Sequence, residues 1–139
     1  MKRFISLAFC LILMVSLFSF PAKAATYASD YLQNYNASLS TGSCSGQLNL
    51  QFSASACDSM SSIGISSVAV YTARGSYVKT INGSTSNGLL ASGSYSHRGA
   101  YSINVTPGQE YYLRLTFVAR DSYSGDSKSY TTNTAIAAR

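Results

Sequence analysis

Residues 105–120 read VTPGQEYYLRLTFVAR, and the fold turns on how this stretch is interpreted. A Pro107-Gly108 turn delivers the chain into a run in which Tyr111, Leu113, Leu115, Phe117 and Ala119 alternate with Tyr112, Arg114, Thr116 and Val118. A period of two marks a β-strand with one face against a core. The other face, carrying Arg114, is free to meet water. Such a strand belongs at the centre of a sheet that packs on a second layer.

Val105, Pro107, Gly108, Tyr111 and Leu113 to Leu115 resemble the corner before strand F in immunoglobulin and fibronectin type III domains. There a tyrosine near the start of the strand hydrogen-bonds back to nearby backbone. The resemblance assigns that role to Tyr111 and implies an antiparallel β-sandwich of seven to eight strands.

Outward from this strand, the pattern stays all-β. Leu48, Leu50, Phe52 and Ala54 point one way and Gln47, Asn49, Gln51 and Ser53 the other, the cleanest alternation in the chain. Further strands are expected at 31–40 (with Tyr31, Gln33, Tyr35, Ala37 and Leu39 on one face), 66–72, 77–81, 89–95, 100–105 and 128–136, the last reached by a loop over 121–127. Asp58 to Gly64 interrupts the strands and reads as a short helical turn, capped by Asp58, with Met60 and Ile63 facing the core. A turn is expected at 96–99. Eight strand candidates are one too many, because the third strand and strand F must run antiparallel within one sheet. The Ser-rich run 89–95, weakened by Gly93, is the one expected not to cross the sandwich.

The first 24 residues read as a signal peptide: Lys2 and Arg3, an apolar run from Phe4 to Phe20, and Ala22-Lys23-Ala24 as a small-x-small site, with cleavage between Ala24 and Ala25. Residues 25–139 then form a single β-sandwich domain with no stable membrane insertion. Of the 10 Lys and Arg residues, Lys2, Arg3 and Lys23 fall in the leader, whereas all 5 acidic residues follow it. The remainder therefore carries a net charge of +2, with no basic cluster to support nucleic-acid binding.

The order Ser29-Asp30-Tyr31, Tyr35, Leu48 to Phe52, Met60-x-x-Ile63-Gly64, Val70-Tyr71, Val78, His97, Gly108-x-x-Tyr111 and Gly125-Asp126 is similar to that of short secreted proteins of gut Firmicutes grouped as domain of unknown function family 6147. The resemblance implies an extracellular protein of a Gram-positive bacterium and brings no activity with it. The chain departs from the expected pattern in lacking tryptophan and in carrying Cys44 and Cys57.

Those two cysteines flank the strand over 47–54, about 26 Å long at roughly 3.3 Å per residue. A disulfide needs Cα atoms about 5.5 Å apart. Two separated thiols are therefore favoured, unpaired, over the intrachain bridge that export would suggest. No second His or Cys pair completes a zinc site, and no metal or cofactor is implied. His97, the only histidine, is expected in an exposed turn beside Arg98 and Gly99, so no catalytic residue is assigned and the chain does not read as an enzyme.

Eleven tyrosines with abundant Ser, Gly and Asn suit either adaptable binding loops or the filling of a sandwich core. The expectation is a non-catalytic binding module for an extracellular glycan, peptide or surface partner. The alternative is a structural or self-associating extracellular protein, which uncovered edge strands would suit. A small secreted enzyme ranks last. Loops before the third strand and after strand F gather at one end of such sandwiches. Within the second of these, Tyr123 lies between Asp121 and Asp126 with no apolar neighbours at strand spacing. These three residues are the candidate binding surface, with the Tyr112 and Arg114 face of the sheet next in line.

Overall fold

A computed structural model describes residues 31–139; the expected signal peptide at 1–24, with its expected cleavage site, and Cys10 lie outside them. The described chain is an antiparallel β-sandwich with no helix. Its strands are β1 (Leu32–Thr41), β2 (Gln47–Met60), β3 (Ser62–Thr72), β4 (Tyr77–Asn82), β5 (Leu90–Ala91), β6 (Ser94–Asn104), β7 (Glu110–Arg120), β8 (Gly125–Thr131) and β9 (Ala135–Ile136). One sheet has the order β1-β2-β6. The other has β4-β3-β7-β8, with β5 added to β3 and β9 to β7. This is an immunoglobulin/fibronectin III-like layout in which the fourth strand joins the third rather than the first sheet.

The alternating residues of the two long strands meet between the layers. Leu48, Leu50, Phe52 and Ala54 of β2 are buried against Leu113, Leu115 and Phe117 of β7, joined by Val68, Val70 and Ile103. Each such side chain removed from water stabilises the fold by about 1.5 to 3 kcal/mol. Tyr111 is 1 % exposed, and its one hydroxyl hydrogen is shared between two acceptors, Gln109 Oε1 at 3.2 Å and the Thr106 carbonyl oxygen at 3.4 Å, directly after the Pro107-Gly108 turn. The corner tyrosine is thus in place. Tyr111→Phe is expected to lower stability by about 0.5 to 1.5 kcal/mol, the net worth of one such bond, measured as the shift of a urea transition. No shift would mean that the hydroxyl contributes nothing at this corner.

Several local expectations are corrected. Asp58 to Gly64 is not helical: β2 runs to Met60 and β3 begins at Ser62. Met60 and Ile63 are both buried, as the periodicity required, but from different layers. Met60 pairs with Ser94, and Ile63 pairs with Ala119. The spacing that suggested one helical face instead comes from a chain that crosses between sheets at Ser61. The predicted turn at 96–99 is also absent, because β6 pairs with β2 without interruption from Ser96 to Asn104. Gln33 of β1 does not continue the buried face, while Tyr31, just before the strand, packs on the core only in part. The pairing shifts between Leu32 and Asn34, and this bulge turns Leu32 inward while Gln33 is exposed. The last expected strand is split, and β8 starts at Gly125, three residues earlier than its sequence suggests.

The surplus strand is resolved as the directions demanded. β4 pairs with the second half of β3 and β5 with its first half, both antiparallel to it. The two therefore make one broken edge strand, and the chain crosses the sandwich only once between β3 and β6. The connecting segment is held by Leu89, fully buried, whose carbonyl oxygen accepts from the Ile65 amide at 2.8 Å, and by Asn87, whose side chain receives the Ser84 and Leu89 amides.

Along the opposite seam, β1 meets the β8–β9 segment through side chains instead of a backbone ladder. Asp126 Oδ2 accepts from the Tyr31 and Leu32 amides at 2.8 and 3.3 Å. The Tyr130 hydroxyl donates to Asn36 Oδ1 at 2.9 Å. Asn133 accepts from the Leu39 amide and donates to the Leu39 carbonyl oxygen, as a neighbouring strand residue would. Thr41 Oγ1 donates to the Ile136 carbonyl oxygen at 2.8 Å. These clasps cover part of an edge that would otherwise offer unpaired amides to another chain.

Candidate functional site

The end of the sandwich carrying the β7–β8 turn is built as the layout required. The Ser61 hydroxyl donates to the Arg120 carbonyl oxygen, so the β2–β3 crossing and the β7–β8 turn lie side by side. In that turn Asp121 Oδ1 accepts from the amides of both Tyr123 and Ser124 at 2.7 Å, and the Asp121 amide donates to the Ser124 carbonyl oxygen at 2.9 Å. The two amides hold the Asp121 carboxyl below its ordinary value of 3.8. A carboxylate lowered on folding contributes stability above its unfolded value and loses it as pH falls through the folded one. Asp121 is therefore charged, and able to accept from both amides, at neutral and mildly acidic pH. Ser124 is further tied to the Tyr31 hydroxyl.

The three residues singled out in the sequence part company here. Tyr123 is 98 % exposed, at the tip of the fixed turn. Asp121 is beside it, with one oxygen engaged in shaping the backbone. Asp126 is in β8, not in a loop, and its carboxylate faces the start of β1. Its position is that of a clasp between strands.

His97 is likewise within β6 and half-buried, not in an exposed turn. Its Nε2 donates to the Gly88 carbonyl oxygen at 2.7 Å, and its ring lies edge-on to Phe52 at 5.3 Å. The imidazole holds the connection between β4 and β5. Cys44 and Cys57 keep exposed thiols, the first in the β1–β2 turn and the second near the far end of β2.

On the outer face of the second sheet, Tyr112 stacks on Tyr71 at 5.4 Å with 10° between the planes, and the Arg114 guanidinium lies 5.0 Å from the Tyr71 centroid. Tyr77 meets Tyr71 edge-on at 5.8 Å. Tyr71 is thus packed against three neighbours within the protein, so this cluster covers the sheet more than it offers a platform.

The outer face of the first sheet differs. Its registers align Asn34, Ser55 and Ser96 in one row, Asn36, Ser53 and Arg98 in the next, and Ser38, Gln51 and Ala100 in a third. Two shallow depressions adjoin on this face, of about 540 and 360 Å³, and both are bordered by Ser53 and Arg98. Tyr95, 66 % exposed, borders the larger one. Sequence reasoning placed Gln51 and Ser53 on a wet face but missed Tyr95 and Arg98, because the expected turn at 96–99 hid the strand that carries them.

Among the described residues no helix is long and apolar enough to cross a membrane. No protein-family model and no curated protein matches the chain. Among solved structures, the chain is similar to a family 76 glycoside hydrolase from a bovine Bacteroides thetaiotaomicron strain, at 17% identity and a TM-score of 0.45, over 76% of this chain and 20% of that one.

Proposed function

We propose that the protein is a secreted, non-catalytic binding module that engages an extracellular partner through the β7–β8 turn. The observation that carries this reading is Tyr123, almost fully exposed on a turn whose backbone is fixed by Asp121. An aromatic ring on a preformed support offers a large amphipathic contact at small entropic cost. Core packing does not account for it. The sole histidine is engaged structurally, which favours binding over catalysis. The clasped β1 edge favours a binding module over a protein that assembles through that strand. Export is part of the proposal, resting on the leader at 1–24 and on the resemblance to secreted Firmicutes proteins.

The test is a glycan and cell-surface binding screen of residues 25–139, comparing wild type with Tyr123→Ala. Loss of the anchor ring is expected to weaken binding at least tenfold, since truncating a central aromatic commonly costs about 2 kcal/mol or more. The variant should keep the wild-type urea midpoint. Undiminished binding by a folded Tyr123→Ala would move the surface away from this turn.

A further inference from the structure

The outer face of the β1-β2-β6 sheet holds a second candidate site, independent of the Tyr123 turn. Arg98, exposed and bordering both depressions, has a side chain with no hydrogen bond, ion pair or ring contact among the described residues. β1 and β6 contain no acidic residue, and the single one in β2, Asp58, lies beyond the last continuous row of the ladder at Ser55 and Ser96. Among the described residues, a guanidinium in this position is a fork of donors without a countercharge. Around it Asn34, Gln51, Ser53 and Ser55 present amides and hydroxyls that no other described group engages. Tyr95, whose ring and hydroxyl have no partner among the described residues, stands at one end.

We infer that this trough binds an acidic oligosaccharide, with Arg98 receiving a sugar carboxylate. The charge complementarity sets the sign of the ligand, because Arg pairs with carboxylates through two parallel hydrogen bonds. The surrounding side chains set its class. Uncharged donors and acceptors spread over three successive rows suit a chain of hydroxyl groups, and the Tyr95 ring can stack on the apolar face of a sugar. A peptide fits less well. β2 is the central strand, so its backbone is paired on both sides and cannot accept another strand, and the two depressions on the face are lined mainly by polar side chains.

Affinity electrophoresis in gels containing polygalacturonate, alginate or hyaluronan tests this. The wild-type domain should be retarded by at least one of the three polymers, and Arg98→Ala should weaken the retardation at least tenfold, with Arg98→Lys intermediate. Fully methyl-esterified galacturonan, the same polymer without its charge, should hold the protein at least tenfold less than the acid form where that form binds. Arg74→Ala, which removes an equal charge from the β3–β4 turn, and Tyr123→Ala should both bind as wild type. Polyglutamate should not compete. Failure of all three polymers would overturn the inference, as would equal losses from Arg98→Ala and Arg74→Ala, undiminished binding by Arg98→Ala, or equal retardation by polyglutamate. Loss through Tyr123→Ala alone would assign the saccharide to the turn instead.

Discussion

Gly64→Ala should be among the most damaging single substitutions in this protein, lowering stability by about 2 to 6 kcal/mol. Two costs combine. Gly64 is at φ 134°, where an L side chain is strained by about 1 to 3 kcal/mol. A Cβ there would also lie 2.2 Å from the Leu89 carbonyl oxygen and 3.0 Å from His97 Cδ2. The oxygen is backbone and already accepts from the Ile65 amide, so it cannot move without loosening the crossing segment. Forcing atoms into such a packed site costs about 1 to 3 kcal/mol more. Gly88→Ala separates the two costs, because Gly88 is at φ 77° with nothing within 4 Å of its would-be Cβ. Urea denaturation of both variants should show the larger loss at Gly64. Equal losses would mean that the close approach of Leu89 carries no energy.

Leu50→Ala is expected to cost about 2 to 5 kcal/mol, while Gln51→Ala next to it should stay within about 0.5 kcal/mol. Leu50 of β2 is fully buried, enclosed between the layers, and its truncation leaves a cavity the two sheets cannot close. Gln51 is on the outer face. The comparison is read from urea midpoints with the slope unchanged. Similar losses at both positions would contradict the sandwich's division into inner and outer faces.

The long, regular strands were legible because their burial is regular. Every apolar residue of the alternating face from Tyr111 to Ala119 is buried, and so are Leu48, Leu50, Phe52 and Ala54. The corner tyrosine was legible for a different reason: its turn and its hydroxyl partners are within five residues of it. What escaped were places where long-range pairing overrides a local cue. Met60 and Ile63 are spaced like a helical face, yet each is claimed by its own sheet. Ser96 to Gly99 has the composition of a turn, but β2 has no other partner on that side, and the ladder enforces an extended chain. In β1 a single bulge reversed the faces of its first residues.

The candidate sites divide in the same way. Tyr123 was visible as an aromatic lacking neighbours at strand spacing. Asp126 was misplaced because its partners, the Tyr31 and Leu32 amides, are more than ninety residues away in sequence. The Arg98 trough is assembled from three strands and exists only in their register. No one of its segments carries a motif.

The seam between β1 and the β8–β9 segment also has a mechanical meaning. Tyr31 is at one end of the sandwich, beside the β7–β8 turn, while Arg139 approaches Gly108 at the other. β1 and the β8–β9 segment run in the same direction across the seam, because the contacts Tyr31–Asp126, Asn36–Tyr130, Leu39–Asn133 and Thr41–Ile136 advance together along both. A force applied at Tyr31 and Arg139 therefore drags β1 lengthwise past β8 and β9. Asp126, Tyr130, Asn133 and Thr41 are spaced along that line, so their bonds share the load in shear and must give way together. Peeling them open one at a time requires a pull at right angles to the strands.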